Sequence, residues 1–168
     1  MSQNYLSIYA KSFNWAGFFL PKSKYNNCST LYDFCRTVDN IADEEEKLEI
    51  KKKNFKEFKK RFYEKDFSSI KIKNMWQLIH KFSISTKIID DLFDGIETDL
   101  QEKVLLSNEK DLLIYAYRVA GTVGLMMAKI LKVKSNLALT SAIDLGIAMQ
   151  LTNIARAVSY THLTLPTT

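Results

Sequence analysis

The run Cys28-Ser29-Thr30-Leu31-Tyr32-Asp33-Phe34-Cys35-Arg36-Thr37-Val38-Asp39-Asn40-Ile41-Ala42-Asp43 decides the fold. Its apolar positions Cys28, Leu31, Tyr32, Cys35, Val38 and Ala42 recur at three- and four-residue steps. That period marks a helix with one buried face and excludes a strand, whose faces alternate every second residue. Asp39 continues the apolar stripe, and Asp43 stands one turn further on. The i,i+4 step stacks both carboxylates on one face, where like charges repel. Such a pair is either solvent-facing or offset by a cation. A carboxylate on an inward face is the informative exception. Oxygen ligands without His or Cys suit Mg²⁺, which keeps waters and bridges to phosphate. Arg36, three residues before Asp39, pairs with a carboxylate or with a phosphate.

The same period extends outward in both directions. A first helix covers 2–15, with Ser2 as its cap. Pro21 interrupts the pattern, and Ser23 caps a second helix that runs to about Glu44. A third covers 47–64, acidic first and basic later, as the helix dipole favours. Ser68 and Ser69 open a fourth with Ile72, Met75, Trp76, Ile79 and Phe82 inward. Ser85 or Thr86 caps a fifth, with Gly95 in its middle marking a kink. A sixth runs from Ser107 or Asn108 through Leu131, and a seventh from Ser135 through Arg156. The expectation is an all-α domain with short loops. With 5 Gly and 2 Pro in 168 residues, a turn-rich β-sandwich is excluded. With 46% hydrophobic and 26% charged residues, so is a disordered chain. No uncharged apolar run approaches the length of a spanning helix, and the N-terminus lacks the apolar core of a signal peptide.

Cys28 and Cys35 lie seven residues apart on one helix, roughly 10 Å along its axis. That is too far for a disulfide, and a reducing cytoplasmic setting is expected. His80 and His162 are the only histidines, so no Cys/His metal site can be assembled. The net charge is +5, concentrated in Lys51, Lys52, Lys53, Lys56, Lys59, Lys60 and Arg61. Phe55, Phe58 and Phe62 alternate with them at helical spacing, which describes an amphipathic helix with a solvated lysine face. No nucleic-acid recognition motif accompanies the lysines, so no nucleic-acid partner is expected.

Two stretches depart from ordinary helix composition. Val119-Ala120-Gly121-Thr122-Val123-Gly124 puts two glycines inside a helix, each at a cost of roughly 1 kcal/mol against alanine. They serve either close helix packing or room for an apolar ligand. Gln150 and Asn153 fall on the expected inward stripe with Ala142, Leu145 and Met149, where buried amides need partners. Residues 157–168 carry no Asp, Glu, Lys or Arg, with four threonines and Pro166 instead. They are expected to end the helix and to form a foreign or disordered tail outside the core.

Three of these segments carry a resemblance. Ser12-Phe13 and Leu31-Tyr32-x-Phe34-Cys35-Arg36-x-Val38-Asp39-x-x-x-Asp43 resemble the first aspartate-rich motif of phytoene and squalene synthases. Tyr115-x-Tyr117-x-Val119-Ala120-Gly121-Thr122-Val123-Gly124 is similar to their central helix signature. Gln150-Leu151-Thr152-Asn153-Ile154-x-Arg156 is similar to the opening of their second aspartate-rich motif, and Asp94-Gly95 to Asp99 also fits. The order and spacing agree along residues 5–156.

The resemblance implies an isoprenoid synthase type helical bundle and a head-to-head condensation of two prenyl diphosphates. Geranylgeranyl diphosphate would give phytoene; farnesyl diphosphate would give squalene or dehydrosqualene. It implies Mg²⁺ held by Asp39, Asp43 and Asn153, with Arg36 and Arg156 on the diphosphates. Tyr115 and Arg36 take catalytic positions. Phe13, Tyr32, Val119, Val123, Gly124, Ala142, Leu145 and Met149 match wall positions, and Gln150 a polar group beside the chain. The second motif should continue with aspartates at 157 and 161, where this sequence has Ala157 and Thr161. Residues 1–156 are therefore expected to be the N-terminal part of one such domain, incomplete at its C-terminus and inactive as it stands. Substrates this apolar imply peripheral contact at the inner face of the membrane, assisted by the lysine-rich helix. A head-to-tail prenyltransferase or terpene cyclase of similar fold is disfavoured by the central signature. A non-enzymatic helical binding module is the reading of another class.

Overall fold

The computed structural model describes residues 17, 19–43, 47–102 and 106–163, with 158–163 described for their backbone alone. The expected helix over 2–15, and with it Phe13, lies outside the described residues. Among those described there are seven α-helices and no strand. They are α1 Lys22–Asp43, α2 Leu48–Tyr63, α3 Ile70–Phe82, α4 Thr86–Asp99, α5 Glu109–Ala116, α6 Thr122–Ile130 and α7 Asn136–Leu163.

Ser85 and Asn108 cap as their chemistry requires, whereas Ser69 makes no side-chain cap bond and Ser23, the expected cap of the second helix, lies inside α1. Ser69 and Ser85 precede α3 and α4 in extended conformation, and the Ser85 hydroxyl accepts from the Lys87 N–H at 3.3 Å. Before α5, Asn108 Oδ1 accepts from the Asp111 N–H at 2.9 Å, and Asn108 Nδ2 donates to Asp111 Oδ2 at 3.0 Å. Asn108→Ala removes both bonds and is expected to cost about 1 kcal/mol. Equilibrium urea unfolding of the variant checks this; an unchanged midpoint would show the cap to be idle.

The core lies between α1, α2, α3, α4 and α6. Leu31, Phe34 and Val38 of α1 are fully buried against Phe55 and Phe62 of α2, Ile72 and Met75 of α3, Phe93 of α4 and Met126 of α6. Phe34 sits between the rings of Phe62 and Phe93, at centroid distances of 5.5 and 6.4 Å. Trp76 stacks on Phe62 at 5.3 Å and donates its indole N–H to the Phe62 carbonyl at 2.9 Å. The lysine face of α2 is solvated as expected, with Lys52, Lys53, Lys56 and Lys60 exposed.

The expected sixth helix is not one α-helix. A π-helical segment, Tyr117–Gly121, separates α5 from α6. Widening the turn brings Tyr117 and Arg118 onto α4. The Tyr117 hydroxyl donates to Asp91 Oδ2 at 3.1 Å, and Arg118 Nη2 lies 3.3 Å from Asp94 Oδ2. α4 continues through Gly95, where the sequence suggested a kink. Gly95 instead makes room for the side chains of Val119 and Arg118: a Cβ there would lie 2.8 Å from Val119 Cγ1.

α7 corrects two further expectations. It continues past Arg156 to Leu163, because Ala157 to Leu163 contains no helix breaker and the first one is Pro166. Its packed face is also rotated from the expected stripe. Leu145 is 62% exposed and Met149 41%, and Asn153 and Arg156 are exposed too. The half-buried positions are Leu139, Ala142, Ile143, Gly146, Ile147, Gln150, Leu151 and Ile154. The physical reason is backbone contact. A Cβ on Gly146 would fall well inside contact distance of the Ala120 carbonyl oxygen, and one on Gly124 likewise against the Ala142 carbonyl oxygen. These approaches fix the rotation of α7 on the bundle. Glu109–Ile130 and Asn136–Ala157 are long and apolar enough to cross a membrane by length and composition alone.

Candidate active site

α1 presents Asp39 half-buried beside the core, while the Asp43 side chain is 67% exposed at the helix end. The inward stripe thus includes Asp39 and releases Asp43 to solvent. Arg36 Nη1 lies 3.7 Å from Asp43 Oδ2, and its charge also acts on Asp39. α4 ends at Asp99, which accepts a hydrogen bond from the Tyr115 hydroxyl at 2.7 Å. Tyr115 thereby ties α5 to the end of α4.

The electrostatics join these groups into one site. Burial pushes the Asp39 carboxyl up to about 6, with the neighbouring Asp43 and Asp99 charges adding and Arg36 opposing. Asp99 is raised by burial, against the Tyr115 hydrogen bond, and feels Asp43 as well. Tyr115 is raised by burial first and then by its bond to Asp99. Tyr32 is raised by burial, opposed by Arg36. Asp39, Asp43 and Asp99 thus share one field of excess negative charge, which a divalent cation with a bound phosphate would relieve.

Among the described residues, no three His, Cys, Asp or Glu side chains converge tightly enough to hold a metal ion by themselves. Asp39 and Asp43, oxygen donors one helical turn apart, are of the type Mg²⁺ takes, one or two carboxylates with water and substrate phosphate completing its shell. Asp99 is the residue that sequence reasoning left out of the site. It was legible as part of Asp94-Gly95 to Asp99, but only the packing of α4 brings it within electrostatic reach of α1.

The remaining expected site residues divide. Arg36, Tyr32, Tyr115 and Gln150 gather around the carboxylates. Val119 packs onto Gly95, Val123 packs against the core, and Gly124 lies under the Ala142 carbonyl. Leu145, Met149, Asn153 and Arg156 lie on the exposed side of α7. Two surface grooves lie elsewhere. One of about 730 Å³ is lined by Lys52, Phe55, Lys56, Lys59 and Leu100, and one of about 480 Å³ by Leu113, Ile114, Tyr117 and Ile147.

The raised Asp39 carboxyl has a consequence for stability. Below its unfolded value of 3.8 the group is protonated in both states. As pH rises toward about 6 the unfolded chain ionises first, so folding loses stability across that window. Asp39→Asn removes this dependence. The variant is expected to match the parent near pH 4 and to exceed it by about 1–3 kcal/mol at pH 7. Urea unfolding of both proteins from pH 4 to 8 checks this. A difference that does not change with pH would refute the shifted carboxyl.

Known proteins share this architecture. The family described as squalene/phytoene synthase matches residues 6–166. The chain is 29% identical to the 15-cis-phytoene synthase of Pantoea ananas over 170 residues, covering 91% of this chain and 53% of that protein. It is 32% identical to the 4,4'-diapophytoene synthase of Staphylococcus haemolyticus, covering 89% of this chain and 54% of that protein. A crystal structure of a dehydrosqualene synthase with ligand superposes with a TM-score of 0.75 at 27% identity, over 90% of this chain and 53% of that one. The chain spans about half the length of these relatives. A match running from residue 6 to residue 166, over a helical bundle of the same shape, makes this chain a member of the squalene/phytoene synthase family.

Proposed function

We propose that the protein acts in the head-to-head condensation of two prenyl diphosphates with release of diphosphate, with geranylgeranyl diphosphate as substrate and phytoene as product. The observation that carries this reading is the shared field of Asp39, Asp43 and Asp99 beside Arg36, with the Tyr115 hydroxyl held among them. Heterolysis of a carbon–diphosphate bond leaves an allylic cation and sends the electron pair to the departing diphosphate. Mg²⁺, when bound, neutralises that diphosphate as it leaves. Asp39 and Asp43 would hold it, and Asn153, exposed on α7 in this chain, is assigned as a further ligand. Arg36 binds phosphate oxygens through its fork of donors, and Arg156 is assigned the same task. Asp99 fixes the Tyr115 hydroxyl, and Gln150 is assigned to a polar position beside the substrate chain. Tyr32, Val119, Val123, Gly124 and Ala142 are assigned to the walls that keep water from the cation, and Leu145 and Met149, exposed in this chain, would join them only under the family's continuation.

Phytoene is favoured by the names of several relatives. Condensation of farnesyl diphosphate to dehydrosqualene is the second reading, favoured by the dehydrosqualene synthase fold match. The protein is assigned to the cytoplasm, at the inner face of the membrane, where exposed Lys52, Lys53, Lys56 and Lys60 meet anionic lipid. Flotation with phosphatidylglycerol liposomes is expected at low salt and to be lost at high salt; no flotation at either removes the membrane contact.

The reaction is tested with Mg²⁺ and each diphosphate in turn, on the chain as given and on one extended by the family's continuation with aspartates at 157 and 161. Expected are Mg²⁺-dependent diphosphate release and phytoene from the extended chain, and neither from the chain as given. Dehydrosqualene alone would select the second reading. Absence of diphosphate release from the extended chain would leave a helical binding module. Equal turnover by both would show that the first aspartate pair suffices.

A further inference from the structure

The carboxylate pair sits where helix electrostatics least favours it. The last turn of α1 carries no basic residue. Its end exposes carbonyl oxygens without helical partners and the negative pole of the helix dipole. Asp39 and Asp43 add two carboxylates to that pole. Arg36 answers Asp43 from within α1. A second cation arrives from outside the helix: Lys51 Nζ of α2 donates to the Ala42 carbonyl oxygen at 2.7 Å. The Lys51 side chain is half-buried, unlike its neighbours Lys52 and Lys53 on the solvent face. In the lysine-rich sequence of α2, Lys51 is thus set apart by what it touches.

We propose that Lys51 is a positioning residue for the Asp39–Asp43 site, capping the C-terminus of α1 and holding its last turn in place to receive a divalent cation and diphosphate. The proposal rests on the site reading above. Lys51 does two things there. Its ammonium satisfies a carbonyl of the last turn, the turn most prone to fray, and so fixes the backbone between the two carboxylates. Its positive charge also lies at the negative pole of the α1 dipole. Lys51 touches neither carboxylate in the structure, so its action passes through the Ala42 backbone.

The test uses the whole chain and has two readouts. One is amide hydrogen exchange at residues 40–43 in the protein without metal. The other is calorimetric binding of Mn²⁺ together with inorganic diphosphate. Lys51→Met is expected to speed exchange at 40–43 and weaken Mn²⁺–diphosphate binding, each by roughly tenfold, with exchange in α3 unchanged. Lys51→Arg keeps a charged donor of sufficient reach and is expected to restore most of both. If Lys51→Met fails to fold by circular dichroism, the comparison passes to Lys51→Gln, which keeps a donor without the charge and is expected to lie between the two.

Faster exchange with unchanged binding would overturn the positioning role and leave a simple helix cap. Unchanged exchange would overturn the cap itself. Asp39→Asn separates these failures from failure of the site. If it abolishes Mn²⁺–diphosphate binding while Lys51→Met does not weaken it, the site stands and the proposal falls. If Asp39→Asn binds like the parent, the site reading falls and takes the proposal with it.

Discussion

Asp39→Asn and Asp43→Asn are each expected to lower prenyl diphosphate turnover roughly a hundredfold or more, while the helical content stays at the parent level. The motive is the position of the pair at the end of α1, where Asp39 is half-buried and Asp43 faces solvent. The two variants differ in stability. Asp39 carries a carboxyl that burial pushes up to about 6, so its replacement by an amide relieves the folded state at neutral pH. Asp43 is exposed and its removal leaves stability near the parent. A more stable protein that has lost its activity is the expected signature of a charge kept for function. The measurement is turnover at several Mg²⁺ concentrations alongside urea unfolding, on the extended chain. Parent-like rates for both variants at low Mg²⁺ would remove these residues from the metal site.

Gly146→Ala and Gly124→Ala are expected to destabilise the fold by about 2–4 kcal/mol each. At both positions the added methyl meets a backbone carbonyl oxygen of the facing helix, Ala120 for Gly146 and Ala142 for Gly124. A backbone cannot rotate aside as a side chain can, so the two helices must separate. Gly121→Ala provides the control. Its Cβ would meet Tyr117 Cδ2 at 2.9 Å and Ile143 Cγ2 at 3.2 Å, both on side chains that can give. It is expected to cost less than either of the others. Differential scanning calorimetry on the three variants decides the matter. Equal shifts for all three would show that the backbone approach of α7 to α6 and to the π-helical segment is not what holds them together.

The fold class was legible in the sequence because helical burial leaves a local record. Cys28, Leu31, Cys35 and Val38 of the stripe and the run Ile72, Met75, Trp76 and Ile79 are buried where their spacing required, while Tyr32 is half-buried and Phe34, outside the stripe, is fully buried. Caps such as Ser85 and Asn108 are chosen by side-chain chemistry acting over two or three residues, so they too could be read along the chain. The aspartate pair was legible for the same reason: the i,i+4 step fixes a shared face whatever the helix packs against.

Tertiary structure alone decided the rest. Periodicity says that a helix has a face, but the partner chooses which face is covered. On α7 the stripe through Leu145, Met149 and Asn153 is apolar enough to read as inward, yet backbone contact at Gly146 and Gly124 turns the neighbouring residues inward instead. The π-helical turn at Tyr117–Gly121 leaves no local signal of its own, because it follows from Tyr117 and Arg118 bonding to α4 and from Gly95 yielding space. Asp99 joins the site, and Lys51 reaches the end of α1, through contacts between separate helices. The sequence by itself determined the helices and the carboxylate pair, since both depend on residues a few positions apart. Which charges those carboxylates meet depends on packing between elements, and that only the tertiary structure decided.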